Sequence, residues 1–478
     1  MRAGVIAGAM ALVAPALAAK EFSPGALKRV VERALDRPAF AAAYWAVEVR
    51  SLTSGRVLYE RNARKNMTPA STLKLVTTAA ALDAFGSDAT VRTTLESAGR
   101  LDALGRLLGD VYLVGRGDPL LARPGADGRT GFDVLADALR DAGVKRIEGR
   151  LVGHEGLFKN RRGEDWEWAD LVWCYGAEVS ALAWRDNCAA LKVGAGEQVG
   201  DPVVVDREPE SRYYAVVSTA TTSPAGSASD LRLERDLGSN LVRLSGTHPL
   251  GAEPEKLEVA LEDPARYAAT AFVEALETRG IRVALGAASA LDALPPGARV
   301  LAGCDSPPLA EIVKEINKSS QNLYTEMLLR LLGARVKGEG SVAAGREAVA
   351  DFLKAHRIGE GASLQDGSGL SRTDLVTPHD LVDLLVAMDR HALSAAFRDS
   401  LPVAGVDGTL ERRLKGTAAE GRAFAKTGTL RQSNALAGYV HAKSGARFAF
   451  SIVVNHHTAP SRDAVEAIDA VVEALARY

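Results

Sequence analysis

Thr68-Pro69-Ala70-Ser71-Thr72-Leu73-Lys74, running on through Leu75-Val76-Thr77-Thr78-Ala79-Ala80-Ala81-Leu82-Asp83-Ala84-Phe85 to Gly86, is the stretch on which the reading of this chain turns. Leu73, Leu75, Val76, Ala79, Ala80, Leu82 and Phe85 leave almost no polar side, so the segment predicts a buried helix that starts just after Pro69 and stops at Gly86. Its first turn carries Ser71. Residues three apart share a helix face, which sets Lys74 one turn beneath the Ser71 hydroxyl. Burial disfavours an ammonium, so Lys74 can act as a neutral proton acceptor for a serine that is otherwise a weak nucleophile. The helix amino end adds partial positive charge where an oxyanion would develop. Taken by itself, the same segment also reads as an ordinary helix start with a serine cap and a lysine reaching for solvent. The rest of the chain has to decide.

Two further motifs follow in order. Ser320-Gln321-Asn322 ends a run of six polar residues, Asn317 to Asn322, between one helical pattern at Leu309, Ile312, Val313 and Ile316 and another at Leu323, Met327 and Leu328. A junction of this kind can project Ser320 and Asn322 into a cleft, where a hydroxyl relays a proton and a carboxamide holds a substrate amide. Lys426-Thr427-Gly428-Thr429 lies in a strand-like stretch, Phe424 to Leu430. Alternation there sends Lys426 and Gly428 to one face and Thr427 and Thr429 to the other. A cation with neighbouring hydroxyls suits a carboxylate, and the bare Gly428 is expected to let substrate backbone approach. Each motif has a bland alternative, a helix connection for the second and an edge strand for the third. The ordered set points to a serine acyl-transfer site.

Composition restricts the classes that remain. The chain has 478 residues, 47% hydrophobic and 25% charged, as expected of a multidomain globular protein and too polar for one that spans a membrane many times. A formal net charge of −2 supplies no basic field to gather phosphates, which argues against nucleic acid as the main partner. Ala3 to Leu17 is apolar and uncharged and leads into Ala16-Leu17-Ala18, so residues 1–18 are expected to be a secretory signal. Export permits disulfides. Among three cysteines, Cys174 and Cys188 are close in sequence and are expected to pair, leaving Cys304 as a reduced, buried thiol. His456-His457 forms no metal site by pattern, because adjacent strand residues point to opposite faces and no carboxylate spacing completes a set.

The chain ends mirror each other. Pro24 to Asp36 reads as a helix and Tyr44 to Val49 with Arg56 to Tyr59 as a hairpin; Ala435 to Val440 with Phe448 to Val454 reads as a second hairpin, followed by a helix from Arg462 to Arg477. The expected fold is mixed α/β (α+β), with one antiparallel sheet built from both ends and covered by helices. Residues 19–90 and 301–478 are assigned to that domain and 91–300 to an insertion rich in short strands, such as Asp110 to Val114 and Pro202 to Val205. Within the insertion, 201–261 has the turn-rich character of a nested third unit.

The trio of motifs resembles that of penicillin-binding proteins and serine β-lactamases. The interval from Ser71 to Ser320 takes up more than half the chain, more than a compact β-lactamase needs. Flanking text agrees: Gly109-Asp110-Val111-Tyr112-Leu113-Val114, Gly117-Asp118-Pro119, Asn322-Leu323-Tyr324 and Asp366-Gly367-Ser368-Gly369-Leu370-Ser371-Arg372. The chain is similar to class C low-molecular-mass penicillin-binding proteins, the D-alanyl-D-alanine carboxypeptidase/endopeptidase family, over nearly its whole mature length. Gln321 stands where relatives often carry Asp. The resemblance implies a penicillin-binding, β-lactamase-like transpeptidase domain with a large insertion after the nucleophile helix. It implies Ser71 as the acylated nucleophile, Lys74 as its base and Ser320 as the proton relay to the leaving D-alanine. Asn322 would hold the peptide, Lys426, Thr427 and Thr429 would receive the terminal carboxylate, and the amides of Ser71 and Thr429 would form the oxyanion hole. Peptidoglycan peptides are then the substrates, β-lactam antibiotics the covalent inhibitors, and the periplasm the location, with no cofactor or metal.

Two other readings share these motifs: a β-lactamase or esterase, which needs a fast deacylating water, and a noncatalytic wall-binding protein. The sequence is compatible with trimming of terminal D-alanine and with cutting of cross-links, and with any state of association. The Asp366 to Arg372 stretch reads equally as a loop over the cleft and as a surface turn.

Overall fold

A computed structural model describes residues 24–163, 165–359 and 361–478; the expected signal segment lies outside the described residues. Both chain ends contribute to one antiparallel five-stranded sheet, ordered Val57–Arg61, Tyr44–Ser51, Arg447–Asn455, Ser433–His441, Ala423–Leu430. The register pairs Val47 with Ile452, Leu436 with Ile452, and Lys426 with Ala437. Side chains alternate faces, as a pleat requires. Leu436, Val440, Phe450 and Ile452 pack with Leu27 and Val31 of the helix Pro24–Leu35 and with Ile468, Val472 and Leu475 of the helix Ser461–Arg477. On the other face, Ala437, Tyr439 and Ala449 join the core of the helix Lys74–Phe85 and of Leu309–Ser319, Asn322–Leu332 and Pro378–Arg390. Both hairpins and both terminal helices occupy their expected places to within a few residues.

The middle of the chain carries its own core. Leu95, Leu113, Phe132, Leu151, Leu191, Val242, Phe272 and Leu276 are buried together, and the Phe132 ring stacks on Trp184 at 3.6 Å between centroids. A five-stranded mixed sheet here is ordered Ala287–Ala290, Leu151–His154, Val111–Val114, Arg92–Ser97, Arg299–Asp305. Its last two strands run antiparallel, Arg299 opposite Ser97, so the chain leaves the segment beside the place where it entered. The strand expected at Pro202 to Val205 lies instead at Val204–Glu208, paired with Cys188–Gly194, which in turn pairs with Glu255–Ala260. Trp166, Leu171, Val179 and Ala181 from this middle segment are buried in the core of the helix Lys74–Phe85, which seats the segment against that helix. Among the described residues, no helix is long and apolar enough to cross a membrane.

Candidate active site

Ser71 sits in a tight helical turn, Ala70–Leu73, that feeds directly into Lys74–Phe85. The helix is apolar nearly all round because it is buried on nearly all sides, and Lys74 is itself fully buried. Its Nζ donates to Ser71 Oγ at 2.9 Å, to Asn322 Oδ1 at 2.6 Å and to the Ser368 carbonyl at 2.6 Å. Three acceptors account for all three hydrogens of an ammonium. Loss of one proton leaves two donors on Asn322 and Ser368 and turns the lone pair toward the Ser71 hydroxyl. Burial lowers the Lys74 amine to about 7, and the carboxylates of Asp366, Glu326 and Asp374 oppose that shift without cancelling it.

The second motif terminates the helix Leu309–Ser319. Ser320 adopts a left-handed backbone, φ 63°, where glycine is the usual residue. Strain of this sort persists only where surrounding structure holds it, and at sites it serves to aim a side chain. Here it aims Ser320 Oγ at Lys426 Nζ, 2.8 Å away. Lys318 anchors the turn through Asp407 at 2.6 Å. Two residues on, Asn322 opens the next helix with Oδ1 on Lys74 and Nδ2 donating to the Tyr175 carbonyl at 2.9 Å. The carboxamide therefore joins Lys74 to the middle segment.

Lys426 lies on Ala423–Leu430, an edge strand of the main sheet. It is fully buried, and besides Ser320 its Nζ donates to the Thr427 carbonyl at 2.9 Å. Burial pulls its amine well down, and the Lys74 charge adds to that shift. An arriving carboxylate reverses this trend, so ligand charge and Lys426 protonation are coupled. Thr427 Oγ1 meets Thr409 Oγ1 at 2.8 Å, and the exposed Thr429 accepts from Asn434 Nδ2 at 3.3 Å. Buried His457 in turn contacts Asn434 Oδ1 at 2.9 Å, which gives that histidine a supporting role behind the strand.

Gly428 has a packing role that its neighbours in sequence do not show. A Cβ there would come within 2.7 Å of the Pro69 carbonyl and 3.2 Å of Ala70 Cβ, so the missing side chain makes room for the turn that carries Ser71. Asp366 to Arg372 is neither a cover nor a surface turn. Asp366, Ser368 and Ser371 are buried, and Asp366 accepts from the amides of Ser368, Gly369 and Ser371 and from Trp166 Nε1. Gly369, φ +79°, would place a Cβ 1.9 Å from the Ala70 carbonyl, so this loop braces the turn that carries Ser71 from behind. Glu326 completes the brace: fully buried, it accepts from the amides of Gly367 and Ser368 and pairs with Arg330 at 3.0 Å. The helical pattern gave one hint of this pair, two opposite charges four apart inside an apolar run.

Cys174 and Cys188 are joined by a disulfide with 5.8 Å between Cα atoms, and it closes the turn that presents the Tyr175 carbonyl. Cys304 is a free, half-buried thiol pushed up to about 12 by burial.

Comparison with known proteins gives a consistent result. The model of the D-Ala-D-Ala carboxypeptidase 3 (S13) family matches residues 27–476. A D-alanyl-D-alanine carboxypeptidase of Actinomadura sp. (strain R39) is 35% identical over 467 residues, covering 95% of this chain and 85% of the relative. The D-alanyl-D-alanine carboxypeptidase DacB of Haemophilus influenzae is 28% identical over 415 residues, covering 86% of this chain and 85% of the relative. In fold, the crystal structure of penicillin binding protein 4 (dacB) from Haemophilus influenzae superposes with a TM-score of 0.82 at 24% identity, covering 96% of this chain and all of that one. With a buried lysine against the Ser71 hydroxyl and a match over nearly its whole length, the chain belongs to the D-Ala-D-Ala carboxypeptidase 3 (S13) family and is a serine D,D-peptidase.

Proposed function

We propose that Ser71 is the nucleophile that attacks the carbonyl of the D-Ala-D-Ala bond, or of the D-Ala-diamino acid cross-link, in peptidoglycan peptides. The observation that carries this is the 2.9 Å contact between Ser71 Oγ and a fully buried Lys74. Neutral Lys74 takes the hydroxyl proton as the C–O bond forms. The amides of Ser71 and Thr429 stabilise the oxyanion. Ser320, backed by Lys426, supplies a proton to the departing nitrogen, and the C–N bond breaks to leave an acyl ester on Ser71. Water then cleaves the ester. Asn322 holds the peptide amide, while Thr427 and Thr429, with the Lys426 charge behind them, receive the terminal carboxylate. β-Lactams enter the same path and stop at the ester, which makes them covalent inhibitors.

The reading extends to the whole chain. Residues 1–18 direct export to the periplasm, 19–90 with 301–478 form the peptidase domain, and 91–300 form the insertion with a nested unit at 201–261. The test is incubation of the mature protein with a pentapeptide and with intact muropeptides, followed by mass analysis. Release of D-alanine or splitting of cross-links by the protein, and neither by Ser71→Ala, is expected. Turnover that survives in Ser71→Ala sinks the assignment.

A further inference from the structure

The strand that carries Lys426 and Thr427 has a second neighbour. Ala423–Leu430 pairs on one side with Ser433–His441, and along the first part of its other edge runs Pro402 to Ala404. The Ala425 amide donates to the Pro402 carbonyl and the Ala404 amide to the Ala423 carbonyl, both at 2.9 Å. This pairing stops before Lys426, and the chain loops back through Asp407-Gly408-Thr409 to reach Thr427.

The loop is fastened without help from Thr409. Asp407 takes Lys318 Nζ on both oxygens, at 2.7 and 2.6 Å, and the Val403 amide at 2.8 Å. Gly408, φ +58°, lies so close to the chain before Ser320 that a Cβ would stand 2.7 Å from the Lys318 carbonyl. Leu410 is fully buried in the core behind the main sheet. One short loop therefore touches the turn of Ser320 and the strand of Lys426 together. Thr409 itself is exposed, and its hydroxyl meets that of the half-buried Thr427 at 2.8 Å. A hydrogen bond between groups that water also serves adds little to a loop already held by a buried leucine and an ion pair.

Its chemistry has another use. Two hydroxyls in contact carry two hydrogens; one lies between the oxygens and the other is left for a third group. A hydroxyl that accepts a hydrogen bond donates a stronger one. Among the described residues, the Thr409 and Thr427 hydroxyls have no partner besides each other. Lys426 Nζ sits on the Thr427 carbonyl at 2.9 Å, which sets a cationic group beside the pair once a carboxylate arrives.

The inference rests on the reading of Lys426, Thr427 and Thr429 as the residues that receive the terminal carboxylate of the substrate. We propose that Thr409 is a further specificity-determining residue for that carboxylate. It acts as a unit with Thr427: one hydroxyl donates to a carboxylate oxygen, and the other fixes the direction of that hydrogen. Through Asp407 and Lys318, the same loop holds the pair in a set position relative to Ser320.

The test uses the full mature protein and two pentapeptides, one with a free terminal carboxylate and one with that carboxylate amidated. The readout is the ratio of kcat/KM on the acid to kcat/KM on the amide, which a general loosening of the loop leaves alone. Thr409→Val keeps the shape and removes the hydroxyl, and should lower this ratio about five- to tenfold, the scale of one hydrogen bond. Thr409→Ser restores a hydroxyl and should hold the ratio within about twofold of wild type. An unchanged ratio in Thr409→Val, with equal losses on both substrates or with none, overturns the proposal; where wild type still prefers the acid, the carboxylate reading of Lys426, Thr427 and Thr429 survives it. A Thr409→Ser variant as impaired as Thr409→Val overturns it too. A wild-type protein that turns over acid and amide equally removes the carboxylate reading itself, and the role of Thr409 falls with it.

Discussion

The rate of acylation should follow the titration of Lys74. Burial moves this amine from the ordinary 10.5 to about 7, a shift that corresponds to about 5 kcal/mol in favour of the neutral form. At pH 7 about half of it is then neutral, against roughly 0.03% for an unshifted lysine, so the reactive base is about 1,500-fold more abundant. The sign is fixed by the role: a base must be unprotonated, so activity is lost as pH falls through the lysine value. The second-order rate of labelling by a fluorescent penicillin, measured from pH 5 to 9, should rise about tenfold per unit on the acid side and level off with a midpoint near 7. In Lys74→Arg, which keeps the charge and cannot accept a proton, the rate should drop by roughly 100- to 10,000-fold and the midpoint should vanish. A rate that does not change from pH 5 to 9, or that is still climbing tenfold per unit at pH 9, would refute a pre-tuned Lys74.

Three further outcomes follow from other parts of the site. Gly428→Ala forces a methyl toward the Pro69 carbonyl, 2.7 Å away, and should cost about 1–3 kcal/mol in denaturant unfolding while slowing penicillin labelling; an unchanged rate would mean the nucleophile turn tolerates displacement. Amidating the terminal carboxylate of a pentapeptide should lower kcat/KM by the roughly 1.5–3 kcal/mol of a charged hydrogen bond, and equal rates on acid and amide would remove the carboxylate role from Lys426, Thr427 and Thr429. Cys174→Ser/Cys188→Ser should lose about 3 kcal/mol of stability, and nonreducing peptide mapping should find the Cys174 and Cys188 peptides linked with Cys304 free; two free thiols would contradict the pairing.

Local patterns in this chain carried local structure well. Helical spacing at Ile468, Val472 and Leu475 and strand alternation at Ser433–His441 reflect which side chains leave water, and that is decided within a few residues. The Ser71 to Lys74 contact was legible for the same reason, being one helical turn. Contacts that join distant parts of the chain were not. The Ser368 carbonyl on Lys74, the Tyr175 carbonyl on Asn322 and the Thr409 hydroxyl on Thr427 use groups that any sequence offers, so only the fold selects them. Gly428 and Gly369 show the limit of reading a glycine from its neighbours. Each makes room for the turn at Pro69 to Ala70, a segment hundreds of residues away. The strand at Val204–Glu208 began two residues late because its ladder partner, Cys188–Gly194, comes from elsewhere in the middle segment and sets its register.

The central claim is that Ser71 carries the acyl group. Labelling the mature protein with a penicillin, digesting it and sequencing the modified peptide by mass spectrometry tests this directly. The adduct should sit on Ser71, within the peptide that also holds Lys74, and should be absent from Ser71→Ala of unchanged thermal stability. An adduct on Ser320 or any other residue, or undiminished labelling of Ser71→Ala, would contradict it.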